Sequence, residues 1–107
     1  MASSQGSHVV IFRARHRPDI ADDYLPTVLA LKERALADYG CLEFVYATTP
    51  EGEEIAITFW PDEAAIRRWK ADEGHRAAQR QNARWYDAYR IQVGEIHRDY
   101  GRGTVGT

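Results

Sequence analysis

The sequence predicts one α+β domain in which an antiparallel four-stranded sheet carries helices on one face. Three observations predict this fold. The chain has 107 residues, the usual length of a single domain. Its 44% hydrophobic and 28% charged residues are typical of a globular protein with a packed core. Segments with strand-like alternation and segments with helical periodicity follow one another along the chain.

A strand and a long helix come first. His8–Arg15 is rich in β-branched and aromatic residues, which predicts a strand. Apolar residues recur at helical spacing over Asp19–Tyr39, which predicts an amphipathic helix. Because Pro26 has no N–H to donate to the carbonyl of Asp22, we expect the regular helix to start near Asp22 or Asp23, or to bend there.

A hairpin follows the long helix. The segments Cys41–Thr49 and Glu53–Trp60 alternate in the manner of strands on either side of a turn at Pro50–Gly52. They are the second and third predicted strands.

Two more helices and a final strand complete the pattern. Asp62 is suited to cap a short helix over Glu63–Ala71. After a break near Gly74, the spacing predicts a helix over Arg76–Tyr86 and a strand over Tyr89–Asp99. This order is the split βαβ arrangement of ferredoxin-like domains.

We place the domain at residues 8–100, between a disordered N-terminal tail (1–7) and a C-terminal tail (101–107). A single sheet with helices on one face leaves its other face uncovered. In a chain this short, a symmetric partner is the usual cover. We therefore expect a homodimer.

Composition and charge narrow the class of partner. The 14 basic and 16 acidic residues nearly cancel, so no net field attracts nucleic acid or an anionic membrane. No apolar run approaches the roughly 20 residues that span a bilayer. The single cysteine, Cys41, excludes an intramolecular disulfide and fits a reducing compartment such as the cytoplasm. The expected partner is a small, fairly apolar molecule.

The predicted third helix has two chemically different sides. Arg76, Arg80 and Arg84 fall on the side that we expect to face water. The opposite side carries His75, Ala78, Gln79, Asn82, Trp85 and Tyr86. Unpaired burial of such polar groups costs about 1–3 kcal/mol each, so they need partners. Either Gln79 and Asn82 bond to strand carbonyls while His75 caps the break, or the row lines a polar-tipped cavity for a small molecule.

Aromatic residues supply candidate walls for such a cavity, namely Phe44, Tyr46, Trp60, Trp69 and Trp85. His75 titrates near neutral pH when unperturbed, and Tyr86 can donate to a developing oxyanion. This pair is therefore suited to handle a phenolic proton. Arg13 lies mid-strand, where it faces solvent, a partner subunit or an anionic substrate.

Two segments of the second half carry a distinctive order of residues. They are Ile57–Gln79 (ITFWPDEAAIRRWKADEGHRAAQ) and Trp85–Gly101 (WYDAYRIQVGEIHRDYG). Their specific part is the ordered set Trp60, Trp69, His75, Gln79, Trp85, Tyr86 and Tyr100. In this order the chain resembles the antibiotic biosynthesis monooxygenase family, strongly from Ile55 onward and weakly back to Val9.

The resemblance implies a dimer of ferredoxin-like domains whose two sheets close a barrel, with a cavity between each sheet and its helices. For some members it also implies oxygenation of a phenol- or quinol-like aromatic molecule by dioxygen, without metal or flavin. By position, we expect Trp69, His75 and Tyr86 to act in catalysis. The residues expected to contact the substrate are Arg13, Phe44, Tyr46, Trp60, Gln79, Asn82 and Trp85.

Two other functions stay open at this point. The first is a non-catalytic dimer that binds a small ligand or acts in a stress response. The second is haem binding or degradation, which the resemblance implies for other members through a helical histidine. That position is Gln79 in this chain, so haem would need His75 or His97 as its ligand.

Overall fold

The computed structural model describes residues 7–19 and 22–105, and within them it has four strands and four helices. The strands are β1 (His8–His16), β2 (Glu43–Thr48), β3 (Glu53–Trp60) and β4 (Tyr86–Glu95). The helices are α1 (Tyr24–Asp38), α2 (Glu63–Lys70), α3 (Glu73–Gln79) and α4 (Asn82–Trp85). Of the predicted tails, residues 1–6 and 106–107 lie outside the described residues.

The strands form one antiparallel sheet in the order β2-β3-β1-β4. The central strand β1 pairs with β3 on one side and with β4 on the other. The hairpin strand β2 pairs with β3 at the edge. With helices after β1 and β3, this confirms the predicted α+β, ferredoxin-like fold.

The two faces of the sheet differ in their cover. Side chains alternate between the faces along each strand. Val10 and Trp60 pack against helical residues, and we call their side the helix face. Val9 and Phe59, which are register partners, point to the opposite side, the open face, and are partly exposed in the single chain.

Two clusters of buried side chains hold the helices on the helix face. The larger cluster consists of Ala35, Cys41, Trp60, Ala65, Ile66 and Trp69. The smaller consists of Tyr24, Ala78 and Trp85. Trp60 is 1% exposed, and its indole N–H donates to the hydroxyl of Thr58 at 2.8 Å. Its buried surface makes Trp60 a principal source of apolar stabilisation for this layer.

The first helix begins at the later of the alternatives that the sequence allows. α1 starts at Tyr24, with Asp23 as its N-cap residue. Pro26 is the third residue of α1, in the first turn, where a backbone N–H has no helical acceptor. The proline therefore costs the helix no hydrogen bond. Ile20 and Ala21, which the predicted helix included, lie outside the described residues.

The predicted single helix over Arg76–Tyr86 is wrong in its extent, because the chain forms α3 and α4 there with a break between them. The Asp72 carboxylate accepts the backbone N–H of His75 at 2.9 Å and so caps α3. This cap starts the helix before Gly74, where the sequence indicated a break. The indole N–H of Trp85 donates to Asp23 at 3.3 Å, a tertiary contact that sequence periodicity does not encode.

An irregularity in the β1–β4 pairing directs Tyr86. The register shifts between Arg15 and His16, so that His16 lies opposite Tyr86. A one-residue shift changes which side chains share a face. Here it places the Tyr86 ring on the helix face, 5.4 Å from the ring of Phe12 and 5.8 Å from that of His16. The final strand therefore begins three residues earlier than its predicted start at Tyr89.

Candidate functional site

A cavity of about 550 Å³ lies between the helix face of the sheet and the helices. Its volume falls in the range of small-molecule sites. It is lined by nine of the ten residues that the sequence proposed for the site: Phe44, Tyr46, Trp60, Trp69, His75, Gln79, Asn82, Trp85 and Tyr86. Both buried clusters contribute to the wall, so the cavity sits between them.

The cavity opens beside strand β4. Tyr89, Ile91 and Val93 line it and are 52%, 49% and 54% exposed. Their side chains lie on the helix face, and solvent reaches them because the helices do not cover this edge of the sheet. An exposed apolar rim therefore borders the open side of the cavity.

One end of the cavity, here called the histidine end, is formed by His75 and Trp69. Their rings stack with centroids 4.4 Å apart and planes 13° apart. Nδ1 of His75 lies 3.2 Å from the backbone carbonyl oxygen of Trp69. A carbonyl accepts but cannot donate, so Nδ1 carries the proton and Nε2 keeps a free lone pair. The same bond closes the C-terminal end of α2, so the histidine serves both the helix end and the cavity wall.

Burial lowers the pKa of His75, and the positive charge of Lys70 lowers it further, against opposing contributions from the Trp69 carbonyl and Asp72. The uncharged imidazole therefore dominates at neutral pH. Lys70 also lines the cavity, although the sequence did not single it out. The histidine end thus combines a neutral base with a nearby cation.

Asp72 holds the segment that carries His75. Its buried carboxylate accepts from the Tyr39 hydroxyl and from the Arg34 guanidinium, each at 2.5 Å. The hydrogen bond from Tyr39, followed by that from the backbone of His75, holds the pKa of Asp72 below its usual value. This ionised cap ties α3 to α1 and fixes the position of the imidazole.

The opposite end, the tyrosine end, contains a buried carboxylate that the sequence interpretation missed. Glu54 lines the cavity but is only 1% exposed. The Tyr24 hydroxyl donates to one of its oxygens, and Nε2 of His16 contacts the other. The Tyr86 hydroxyl donates in turn to the Tyr24 oxygen at 3.0 Å.

The tyrosines of this end keep their protons. Burial is the main cause that raises the pKa of Tyr24 and of Tyr86, and for Tyr24 the hydrogen bond to Glu54 adds to it. Burial and then the hydrogen bond to Glu54 raise the pKa of Tyr46 to about 12. The proton of Tyr86, which the sequence interpretation aimed at a substrate oxyanion, is directed instead at Tyr24.

The sequence does contain a signal that Glu54 faces the cavity. Strand side chains alternate between faces, so counting back in twos from the inward-facing Trp60 places Thr58 and Glu54 on the same face. A glutamate at an inward strand position is rare without partners. No such signal marks Tyr24 or His16 as those partners, because they are 30 and 38 residues away along the chain.

The polar residues on the inward side of the predicted third helix are distributed along the cavity wall. Asn82 is half-buried in the wall, and Gln79 is exposed at its edge. The three arginines of the opposite side, Arg76, Arg80 and Arg84, are all exposed. The division into a polar inward side and a basic outward side therefore holds across the break between α3 and α4.

Arg13, the tenth proposed residue, lies away from this cavity. Its guanidinium pairs with Glu53 at 2.5 Å and is half exposed. Strand alternation puts both residues on the open face. Of the sequence alternatives for Arg13, this position fits solvent or a partner subunit.

Within residues 7–19 and 22–105, no three His, Cys, Asp or Glu side chains are grouped in a way that holds a metal ion. No helix among these residues has the length and apolar character needed to cross a membrane.

Comparison with protein-family models matches residues 7–81 to the family described as antibiotic biosynthesis monooxygenase. The match includes Trp60, Trp69, His75 and Gln79, and it ends before the segment Trp85–Gly101. A search of the curated proteins found no match.

Solved structures share the fold over most of the chain. A conserved protein from Methanosarcina mazei Go1 has a TM-score of 0.78 at 14% identity, covering 87% of this chain and 95% of that one. PA3566 from Pseudomonas aeruginosa has a TM-score of 0.73 at 20% identity, covering 88% and 97%. A structure described as an antibiotic biosynthesis monooxygenase has a TM-score of 0.70 at 24% identity, covering 81% and 95%.

At these identities the structural matches establish likeness of fold. The family match adds the sequence evidence, since it extends over residues 7–81 and includes the histidine end of the cavity. The chain therefore belongs to the antibiotic biosynthesis monooxygenase family.

Proposed function

We propose that this protein is a cofactor-independent monooxygenase that oxidises a phenol- or quinol-like aromatic molecule with dioxygen. The main support is the cavity, whose aromatic walls enclose a neutral imidazole at one end and tyrosine hydroxyls at the other. Such walls suit a flat aromatic ring system. Membership of the family supports the reaction class.

The first step of the proposed reaction is removal of a phenolic proton by His75. The lone pair on Nε2 is available because Nδ1 is bonded to the Trp69 carbonyl. Stacking on Trp69 keeps the imidazole in one orientation. The imidazolium that results, together with the ammonium of Lys70, stabilises the phenolate that is left.

The electron-rich phenolate then reduces dioxygen without a cofactor. An anthrone forms this phenolate through its phenolic enol tautomer; its ring CH₂ then becomes C=O, one oxygen atom of dioxygen enters the product and the other leaves as water. Atoms and electrons balance with dioxygen as the sole oxidant. The buried walls formed by Trp60 and Trp69 keep water away on their side of the cavity, and a bound aromatic substrate would fill the open side beside β4, which would protect the peroxide formed on the substrate.

Oxygen uptake with a panel of anthrones and hydroquinones tests this function. We expect consumption above the rate of spontaneous oxidation for at least one compound, because the cavity supplies a positioned base. With isotopically labelled dioxygen, mass spectrometry should find one labelled atom in the product. If ligands raise the melting temperature and none is consumed, the protein is a binding protein and the monooxygenase assignment is wrong.

We also propose that two copies pair through the open face of the sheet. This face carries an apolar, partly exposed set: Val9, Ile11, Val45, Ile57 and Phe59. A second copy would bury it, and a symmetric partner is the usual cover for the free face of a single sheet in a short chain. The dimer proposed here leaves both cavities on the outer, helical side.

A negative charge introduced on the open face tests whether the protein is a dimer. Ile57→Asp is expected to convert a dimer into a monomer in light scattering, because each interface would bury two unpaired carboxylates. Ala37→Asp places the same charge at an exposed position on α1 and should leave the mass unchanged. A wild-type protein that is already monomeric at micromolar concentration would contradict the proposal.

A further inference from the structure

The hydrogen bonds at the tyrosine end run in one direction. Tyr24 donates to Glu54, and Tyr86 donates to Tyr24 at 3.0 Å. His16 occupies the second carboxylate oxygen, so the carboxylate is held from both sides. The chain therefore starts at the cavity wall and ends on a buried acceptor.

This direction follows from the chemistry of the groups. An ionised carboxylate only accepts, whereas a phenol has one proton to donate. Tyr24 donates its one proton in the hydrogen bond to Glu54, so toward Tyr86 the Tyr24 oxygen can only accept. Tyr86 therefore donates its own proton to Tyr24. What Tyr86 presents to the cavity is an oxygen lone pair.

Tyr46 lines the same end of the cavity. Burial and then Glu54 raise the pKa of Tyr46 to about 12, so this phenol also keeps its proton. Tyr46 and Tyr86 are partly exposed to the cavity while Glu54 is almost fully buried. A ligand therefore meets the Tyr86 oxygen, whose proton points away from it toward Tyr24.

We infer that Glu54, acting through Tyr24 and Tyr86, makes the tyrosine end a hydrogen-bond acceptor that selects ligands with a donating hydroxyl. A phenolic O–H finds a partner there. A quinone carbonyl faces a lone pair and stays unpaired, which is costly in a buried site. The inference rests on the proposed function in that it names the reduced phenol as the form bound in preference to its quinone product.

Glu54 is thus a positioning residue that sets specificity without touching the ligand. Truncating it would remove the acceptor that orders the tyrosine protons. Once freed, the hydroxyls of Tyr24 and Tyr86 can rotate and donate into the cavity. Substitution of Glu54 should therefore change the preference for ligands that donate a hydrogen bond over ligands that only accept one, more than it changes overall affinity.

Two probes of similar size test this selection. 2-Hydroxyanthraquinone carries a donating hydroxyl, and 2-fluoroanthraquinone has fluorine at the same position. Both are already quinones, so their binding is measured without turnover, by quenching of tryptophan fluorescence at a pH where the hydroxyl is protonated. We expect the wild type to bind the hydroxyl compound about tenfold more tightly, the value of one net hydrogen bond.

Three variants separate the proposed role from a merely structural one. In Glu54→Gln the preference should fall to about twofold or less, because a carboxamide both donates and accepts. Glu54→Asp retains a carboxylate and should keep a preference of about threefold or more. The matched control is Glu53→Gln, which alters the neighbouring carboxylate on the open face and should keep the full preference.

Tyr24→Phe gives a second test that leaves Glu54 in place. It frees the Tyr86 proton, so the preference for the hydroxyl compound should disappear. Equal affinity of the wild type for the two probes, failure to bind either, or an unchanged preference in Tyr24→Phe would overturn the inference. Intact preference without oxygen uptake by any phenol would refute only the proposed function. Turnover without preference would refute only the role of Glu54.

Discussion

Replacing His75 with alanine is expected to lower the rate of phenol oxidation by about 100- to 10,000-fold, the usual contribution of a positioned general base. The structure supplies the reason, since the imidazole is neutral, oriented by the Trp69 carbonyl and stacked on the Trp69 ring. Initial rates of oxygen uptake with the best substrate of the panel measure the loss. Exposed Arg76, next in the chain, provides the control Arg76→Ala, for which no loss is expected.

The pH dependence gives this prediction a second readout. Only the neutral imidazole accepts a proton, and burial, with Lys70, lowers the pKa of His75 below its usual 6.5 against the opposing effect of Asp72. The rate should therefore be high at neutral pH and fall as the pH drops through a midpoint below 6.5. The residual rate of His75→Ala should not show this fall at low pH. Full activity in His75→Ala would assign proton removal to another group.

Replacing Trp60 with alanine is expected to lower the free energy of unfolding by about 3–5 kcal/mol, as found for large aromatic side chains truncated in cores. Trp60 is 1% exposed and belongs to the larger buried cluster. Its ring stacks with that of Trp69, with the ring centroids 6.3 Å apart. Its removal joins the new void to the existing cavity, so the site cannot collapse to compensate. Urea unfolding followed by circular dichroism measures the change.

Tyr100 provides the matched control for this prediction. It is an aromatic residue of the same part of the family resemblance, but it is 90% exposed. Tyr100→Ala should change the free energy of unfolding by less than about 0.5 kcal/mol. A Trp60→Ala loss below about 1 kcal/mol would mean that the two buried clusters are stabilised independently of this side chain.

The fold could be predicted in outline because the relevant signals are local. β3 has the bounds that its alternation predicts, and α2 ends within one residue of its predicted end. The helix over Arg76–Tyr86 could not be predicted in detail. Asp72 caps the start of α3 before Gly74, and Trp85, at the end of α4, is hydrogen-bonded to Asp23, which is 62 residues away along the chain. The two predicted sides are nevertheless kept across the break: His75, Gln79, Asn82 and Trp85 line the cavity, and Arg76, Arg80 and Arg84 are exposed.

The candidate site, too, could be predicted from the sequence only in part. The histidine end was predictable because Trp69 and His75 are six residues apart and belong to one local segment. The tyrosine end was predictable only in part. Helical spacing put Tyr86 on the inward side, but Tyr86 is held there by a register shift at Arg15 and His16, and the buried Glu54 was not expected. No local pattern encodes that shift.

By itself, then, the sequence determined the order of strands and helices, the family, and the cluster of aromatic and polar residues that lines a cavity. Only the tertiary structure decided that Glu54 lies at its tyrosine end, joined to Tyr24 and His16 from distant parts of the chain. The physical reason is that periodicity records which way a side chain points along its own element. Hydrogen bonds between elements depend on strand register and helix placement, which packing of the whole chain establishes.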